Sequence, residues 1–114
     1  MVKPGLTVAA CLFGAAAATA SHAQDVLGAP YATARETLIG MGAEPRPAVR
    51  TEASAAACRH PDGDWCERWP ELIDCAGSGA GACVFLWRAA DGAVITIVTA
   101  GETNPRVTAI IPAG

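Results

Sequence analysis

Cys83-Val-Phe-Leu-Trp-Arg-Ala-Ala-Asp-Gly-Ala-Val-Ile-Thr-Ile-Val-Thr-Ala100 is the stretch that decides the fold. Two runs rich in β-branched and aromatic residues, 83–90 and 93–100, flank Asp91-Gly92, a dipeptide that tolerates positive φ and joins hairpin strands. A third run, 106–111, follows the loop 101–105 and completes an antiparallel meander. A two-residue turn at Asp91-Gly92 sets Arg88 beside Ile95, Trp87 beside Thr96, Leu86 beside Ile97 and Phe85 beside Val98. Carried over the second loop, that register places Thr99 beside Val107, Val98 beside Thr108, Ile97 beside Ala109 and Ile95 beside Ile111. Side chains alternate along a strand, so one face collects Val84, Leu86, Ile95, Ile97, Val107, Ala109 and Ile111. This aliphatic set is the expected core face, with Arg88 as its misfit. The opposite face carries Phe85, Trp87, Val94, Thr96, Val98, Arg106, Thr108 and Ile110.

Two readings of that second face are open. In one, Phe85, Trp87 and Arg106 form a contact patch for a protein partner, since Trp and Arg concentrate binding energy at interfaces. In the other, the loop bearing Trp65 and Trp69 folds over Trp87 and makes a second small core. The 106–111 strand is also a candidate free edge for pairing with a partner's sheet.

Upstream, Pro30 suits a first helical position, and Tyr31, Ala34, Leu38 and Met41 keep one apolar stripe that Gly42 brings to a stop. The segment 43–50 holds Pro45 and Pro47, so it is extended and restricted to an edge or a crossing. Residues 51–57 are either a short helix or a linker. The spacing of Trp65, Trp69, Leu72 and Ile73 predicts two short helical turns, divided at Pro70. The expected architecture is therefore α+β: one N-terminal helix packed on a three- to four-stranded antiparallel meander. The stretch Val26 to Gly42, with Val26-Leu27-Gly28 before a helix and a glycine after it, resembles the opening of PASTA domains. The likeness covers under a fifth of the chain, and the cysteine-rich remainder departs from it.

Residues 1–23 read as a cleaved secretory signal peptide. Lys3 precedes an apolar run from Leu6 to Ala18 that is too short to span a bilayer, and Ser21-His22-Ala23 places small residues where signal peptidase needs them. Ala18-Thr19-Ala20 is the alternative cleavage motif. Val8-Ala9-Ala10-Cys11 resembles a lipobox, although Leu6 to Ala10 is a short apolar segment for insertion. Residues 24–114 then form a single small domain.

Cleavage removes Lys3 and Cys11. Seven basic residues remain, all Arg, against 11 acidic ones, a balance unsuited to nucleic acid or an anionic membrane. Neither nucleic acid nor, after cleavage, membrane insertion is expected. Four cysteines are left, Cys58, Cys66, Cys75 and Cys83, and even parity in an exported domain reads as two disulfides. No Cys-x-x-Cys pair occurs, which disfavours zinc and a thioredoxin-like centre. Three connectivities are open. Cys58 with Cys66 and Cys75 with Cys83 is preferred, because both enclosed segments are rich in turn residues. The stability of the domain should lean on these bridges, since 26 of the chain's 114 residues are Ala and only 5% are aromatic.

Chemistry is sparse. After cleavage His60 is the only histidine, and with Asp62 and Asp64 it is the one candidate centre for a small hydrolase or metal-dependent enzyme. The competing reading makes Pro61-Asp62-Gly63-Asp64 a turn. Gly77-Ser78-Gly79-Ala80-Gly81 lacks the strand and the Gly-Lys-Ser/Thr of a phosphate loop. Glu67 and Glu71 lie at helical spacing, but Pro70 separates them. No cofactor, metal or catalytic residue is assigned. The expected function is a non-enzymatic binding or inhibitor-like module, periplasmic or secreted, acting on an envelope or secreted protein.

Overall fold

A computed structural model of the protein describes residues 23–76 and 81–112. The signal segment up to His22 and most of the glycine-rich loop, 77–80, lie outside the described residues. The fold is α+β. Helix α1 (Tyr31–Gly40) packs on a five-stranded antiparallel sheet made of β1 (Glu44–Pro45), β4 (Leu72–Cys75), β5 (Cys83–Arg88), β6 (Val94–Ala100) and β7 (Arg106–Pro112). A separate hairpin joins β2 (Arg59–His60) to β3 (Gly63–Asp64). Short helices α2 (Glu52–Ala55) and α3 (Trp65–Arg68) lie on either side of it in the chain.

The helix follows its apolar stripe. Tyr31, Ala34 and Leu38 are buried, and Met41 packs partly against the core. Pro30 stands just before the first turn with extended ψ. Gly42, at φ +93, ends the helix by letting its own N–H donate to Ile39 O and that of Ala43 to Leu38 O, both at 3.0 Å. These two bonds satisfy carbonyls that the helix end would otherwise leave open.

β5 is the spine of the sheet. Along one side it pairs with β6; along the other it pairs in succession with β1, at Arg88 and Trp87, and β4, at Phe85 to Cys83. The Pro45 segment is thus an edge strand, as its prolines require. The second helical turn expected after Pro70 does not form. Pro70 and Glu71 instead form a single turn, closed by Leu72 N–H donating to Trp69 O at 3.0 Å, and β4 begins at Leu72. The third run's edge is not free at its start, because Gly28 N–H donates to Val107 O and Val107 N–H to Ala29 O, at 2.8 and 2.9 Å.

The hairpin register differs from expectation by one residue. Ala89 N–H donates to Ala93 O and Gly92 N–H to Ala89 O, so Ala90-Asp91-Gly92 is a three-residue loop with Gly92 at φ +91. This is the type I turn followed by a left-handed glycine, the second common solution for short hairpins. Arg88 now faces Val94, Trp87 faces Ile95 and Phe85 faces Ile97. A one-residue slip turns β5 over relative to β6, so Phe85 and Trp87 share the inner face with Ile95 and Ile97, while Val84, Leu86 and Arg88 share the outer one with Val94, Thr96 and Val98. Between β6 and β7 the expected Thr99–Val107 pair is present. A bulge beyond it then sets Val98 opposite Ala109, Ile97 opposite Ile110 and Thr96 opposite Ile111.

The core therefore holds the aromatic set. Tyr31 stacks on Phe85 with ring centroids 3.9 Å apart, and Trp69 meets Tyr31 edge-on at 4.9 Å. Trp65, Trp87, Leu72 and Ile97 are equally without exposed surface, and Ile95 and Val107, which join Ile97 from the expected aliphatic face, are buried beside them. Both disulfides have the preferred connectivity, Cys58–Cys66 and Cys75–Cys83. The second joins directly opposite positions of β4 and β5.

Candidate functional site

Phe85 and Trp87 are 0% exposed, so a partner could reach them only by opening the core. Arg106, the third residue of the expected patch, is exposed on the other side of the sheet and donates Nη1 to Gly28 O at 3.0 Å. The three are not brought together, and an aromatic contact face does not exist in this fold. Trp65 and Trp69 do fold over the aromatic face, but the result is the main core rather than a second one.

The surface left open takes Val84, Leu86, Ala109 and Ile111 from the expected aliphatic face, while Ile95, Ile97 and Val107 of that set stay inside. The register aligns Val84, Val98 and Ala109 in one row and Leu86, Thr96 and Ile111 in the next. The first five of these named in strand order, Val84, Leu86, Thr96, Val98 and Ala109, are half-buried, and Ile111 is 52% exposed. None of them packs against the core cluster. A third row holds Arg88 and Val94, both exposed, with Glu44 of β1 opposite Arg88. The Arg88 that was a misfit inside is thereby placed outside. At the other end Asp74 lies opposite Val84 and accepts a 2.8 Å bond from Cys75 N–H. The face is thus an aliphatic strip with Arg88 at one end and Asp74 at the other.

The candidate centre at His60, Asp62 and Asp64 is spent on local structure. His60 stacks on Trp65 at 3.4 Å, and its Nε2 lies 2.9 Å from Ala57 O. Asp62 accepts from Trp65 Nε1 at 2.6 Å and from Arg68 at 3.2 Å. The Trp65 indole, with Arg68 adding to it, holds the Asp62 carboxyl below the usual carboxylate range. Asp64 caps α3 by accepting from the N–H groups of Cys66 and Glu67. The turn reading of this loop accounts for all three residues. Metal-ligand atoms do cluster within 4.8 Å at His60, Cys75 and Cys83, and at Cys58, Asp64 and Cys66. Their sulfurs are paired in disulfides and are not thiolates. A shallow cavity of about 130 Å³ at the hairpin end, lined by Ala89, Ala93, Ile95 and Ile110, is smaller than ordinary small-molecule sites.

Sequence reasoning missed the buried polar network. Glu71 is 1% exposed; it accepts from Tyr31 Oη at 2.6 Å and from Arg35 Nε at 2.7 Å, while Trp87 Nε1 donates to Tyr31 Oη at 2.9 Å. Burial, reinforced by the negative charge of Glu71, holds the proton on the Tyr31 phenol well above its ordinary range. The network ties α1 to the β4 approach and to β5. Its one legible signal was Pro70, which stops α3 before Glu71 and so frees that side chain from a solvated helix face.

The chain matches no protein-family profile, no curated protein and no solved structure, so the PASTA resemblance gains no support and the site is argued from geometry alone. Among the described residues no helix is long and apolar enough to cross a membrane. The two disulfides are consistent with an oxidising, extracytoplasmic location.

Proposed function

We propose that the chain is an exported, non-enzymatic binding module of the bacterial envelope that contacts a protein through the outer face of its sheet. The uncovered row of Val84, Leu86, Thr96, Val98, Ala109 and Ile111 carries this reading, because aliphatic side chains left on a sheet face gain free energy when a partner removes them from water. Export is supported by the sequence of residues 1–23. The mature chain begins at Gln24 in this reading. The polar uses found for His60, Asp62 and Asp64 favour binding over hydrolysis.

The test is site-specific photo-crosslinking in the intact envelope. A photoreactive residue at position 86 or 111 should give a discrete protein adduct, whereas one at Glu52, away from the sheet face, should not. Adducts absent from both sheet positions, or equal from all three, would reject the surface. Intact mass of the exported protein checks the Gln24 start.

A further inference from the structure

We propose that the Cys75–Cys83 bridge is a modification site, opened by thiol–disulfide exchange with a protein dithiol, while Cys58–Cys66 stays closed as a permanent staple. The inference is independent of the sheet-face contact. Its basis is a comparison of the two bridges. Each has a sequence separation of 8 and joins a buried sulfur, Cys58 or Cys83, to a half-buried one, Cys66 or Cys75. Their exposure is alike, so their neighbours decide between them. At Cys58–Cys66 the neighbour is the Asp64 carboxylate, with an oxygen within 4.8 Å of both sulfurs. A negative charge there repels an attacking thiolate and disfavours the departing one. At Cys75–Cys83 the neighbour is the His60 imidazole, with a ring nitrogen within 4.8 Å of both sulfurs.

The imidazole is aimed at the bridge. Its Nε2 lies 2.9 Å from Ala57 O and 3.7 Å from Cys75 Sγ. A carbonyl oxygen only accepts, so Nε2 carries the hydrogen, and Cys75 Sγ is a second atom within its reach. Stacking on Trp65 at 3.4 Å holds the ring in place. The adjacent Asp74 carboxylate is engaged by Cys75 N–H at 2.8 Å. Exchange then proceeds in two steps. The partner's first thiolate attacks the half-buried Cys75 Sγ, the bond to Cys83 breaks, and its electron pair leaves on Cys83 Sγ. Negative charge spreads over the sulfurs in this step, and the His60 N–H faces it. The partner's second thiolate attacks the partner sulfur of the mixed disulfide and releases Cys75 as a thiolate, which accepts from His60 Nε2. The partner ends as a disulfide, two electrons poorer, and its two thiol protons end on Cys75 and Cys83. Opening unties β4 from β5 at their paired ends.

Reduced glutathione, a monothiol, arrests the exchange at its first step and is the probe. The mature, oxidised domain is incubated with it under native conditions, quenched in acid, alkylated and mapped by peptide mass. Glutathione should appear on Cys75 and the alkyl group on Cys83, at least about tenfold faster than any label on Cys58 or Cys66. Two substitutions separate the hydrogen bond of His60 from its stacking. His60→Phe keeps a ring against Trp65 and removes the N–H, and should slow the reaction about tenfold. His60→Gln keeps an N–H donor without the ring, and should stay within about twofold of the wild type. Circular dichroism shows that each variant is folded, and the wild-type map needs no substitution at all. Equal labelling of both bridges, as exchange through global unfolding would give, overturns the proposal, and so does labelling of Cys58–Cys66 first. Glutathione on Cys83 overturns the assignment of Cys75 as the attacked sulfur. A Phe variant as fast as the wild type, or a Gln variant as slow as Phe, overturns the role of the His60 N–H.

Discussion

Leu86 and Trp87 are adjacent in the chain and opposite in circumstance. Trp87 is sealed in the core with its indole N–H bonded to Tyr31, whereas Leu86 lies half-buried on the outer face among other aliphatics. Conventional economy would bury the aliphatic face and leave the mixed aromatic face outside. The molecule instead divides the two sets, keeping Ile95, Ile97 and Val107 inside together with Phe85 and Trp87, because its inward partners, Tyr31 on α1 and Trp69 after α3, are aromatic. Tyr31 stacks on Phe85, Trp69 meets Phe85 edge-on, and the Tyr31 hydroxyl accepts from the Trp87 indole while donating to Glu71. The difference teaches that the composition of a face does not decide its side; the elements available to cover it do.

Substitutions can break or sharpen this contrast. Trp87→Ala should cost about 3–5 kcal/mol in denaturant unfolding, since it leaves a large cavity and removes a donor to Tyr31. Replacing Cys75 and Cys83 together by Ala should cost about 2–4 kcal/mol by the same measurement, as the bridge ties β4 to β5 beneath the aromatic core.

Tyr31→Phe should cost about 1–3 kcal/mol at neutral pH, because the Glu71 carboxylate loses a donor and Trp87 Nε1 an acceptor. Its pH signature is more specific. The folded phenol keeps its proton above pH 10.0, the ordinary value at which the unfolded chain releases it. The unfolded state therefore binds fewer protons there, and stability should fall as pH rises past that value. With residues 1–23 removed the chain has no lysine, one tyrosine and no free thiol, so in that form Tyr31 alone should produce this alkaline slope and Tyr31→Phe should abolish it. Urea midpoints with pH, read alongside tyrosinate absorbance, test both parts.

Thr99, fully buried opposite Val107, has a hydroxyl with no hydrogen-bond partner among the described residues. Thr99→Val keeps the shape and removes the unpaired group, and should raise stability by about 1 kcal/mol. Val98→Thr, one residue away on the outer face, should change it by no more than about 0.5 kcal/mol. If these two neighbours responded alike, the assignment of faces would be wrong.

Much of this was legible in the chain. The hydrophobic stripe from Tyr31 to Met41 with Gly42 after it, the strand runs on both sides of Asp91-Gly92, and the turn-rich segments inside each cysteine pair are local signals, and local geometry obeyed them. Which side chains lie on the open face was not legible, because it depends on whether Asp91-Gly92 closes a two-residue or a three-residue loop. Both loops accept a glycine with positive φ at position 92. The Thr108 bulge adds a second shift of the same kind on β7. Glu71 was illegible for another reason, since its partners Tyr31 and Arg35 are 40 and 36 residues away in sequence.

The sequence by itself determined which segments are helix and strand, and supplied a cysteine set that pairs within neighbouring segments, because propensity, turn chemistry and short loop closure act over a few residues. Only the tertiary structure decided which side of the sheet is core. Strand side chains alternate with period two, so a single residue of register reverses the answer, and long-range packing of Tyr31, Trp65 and Trp69 on Phe85 and Trp87 selects between registers that look equal locally.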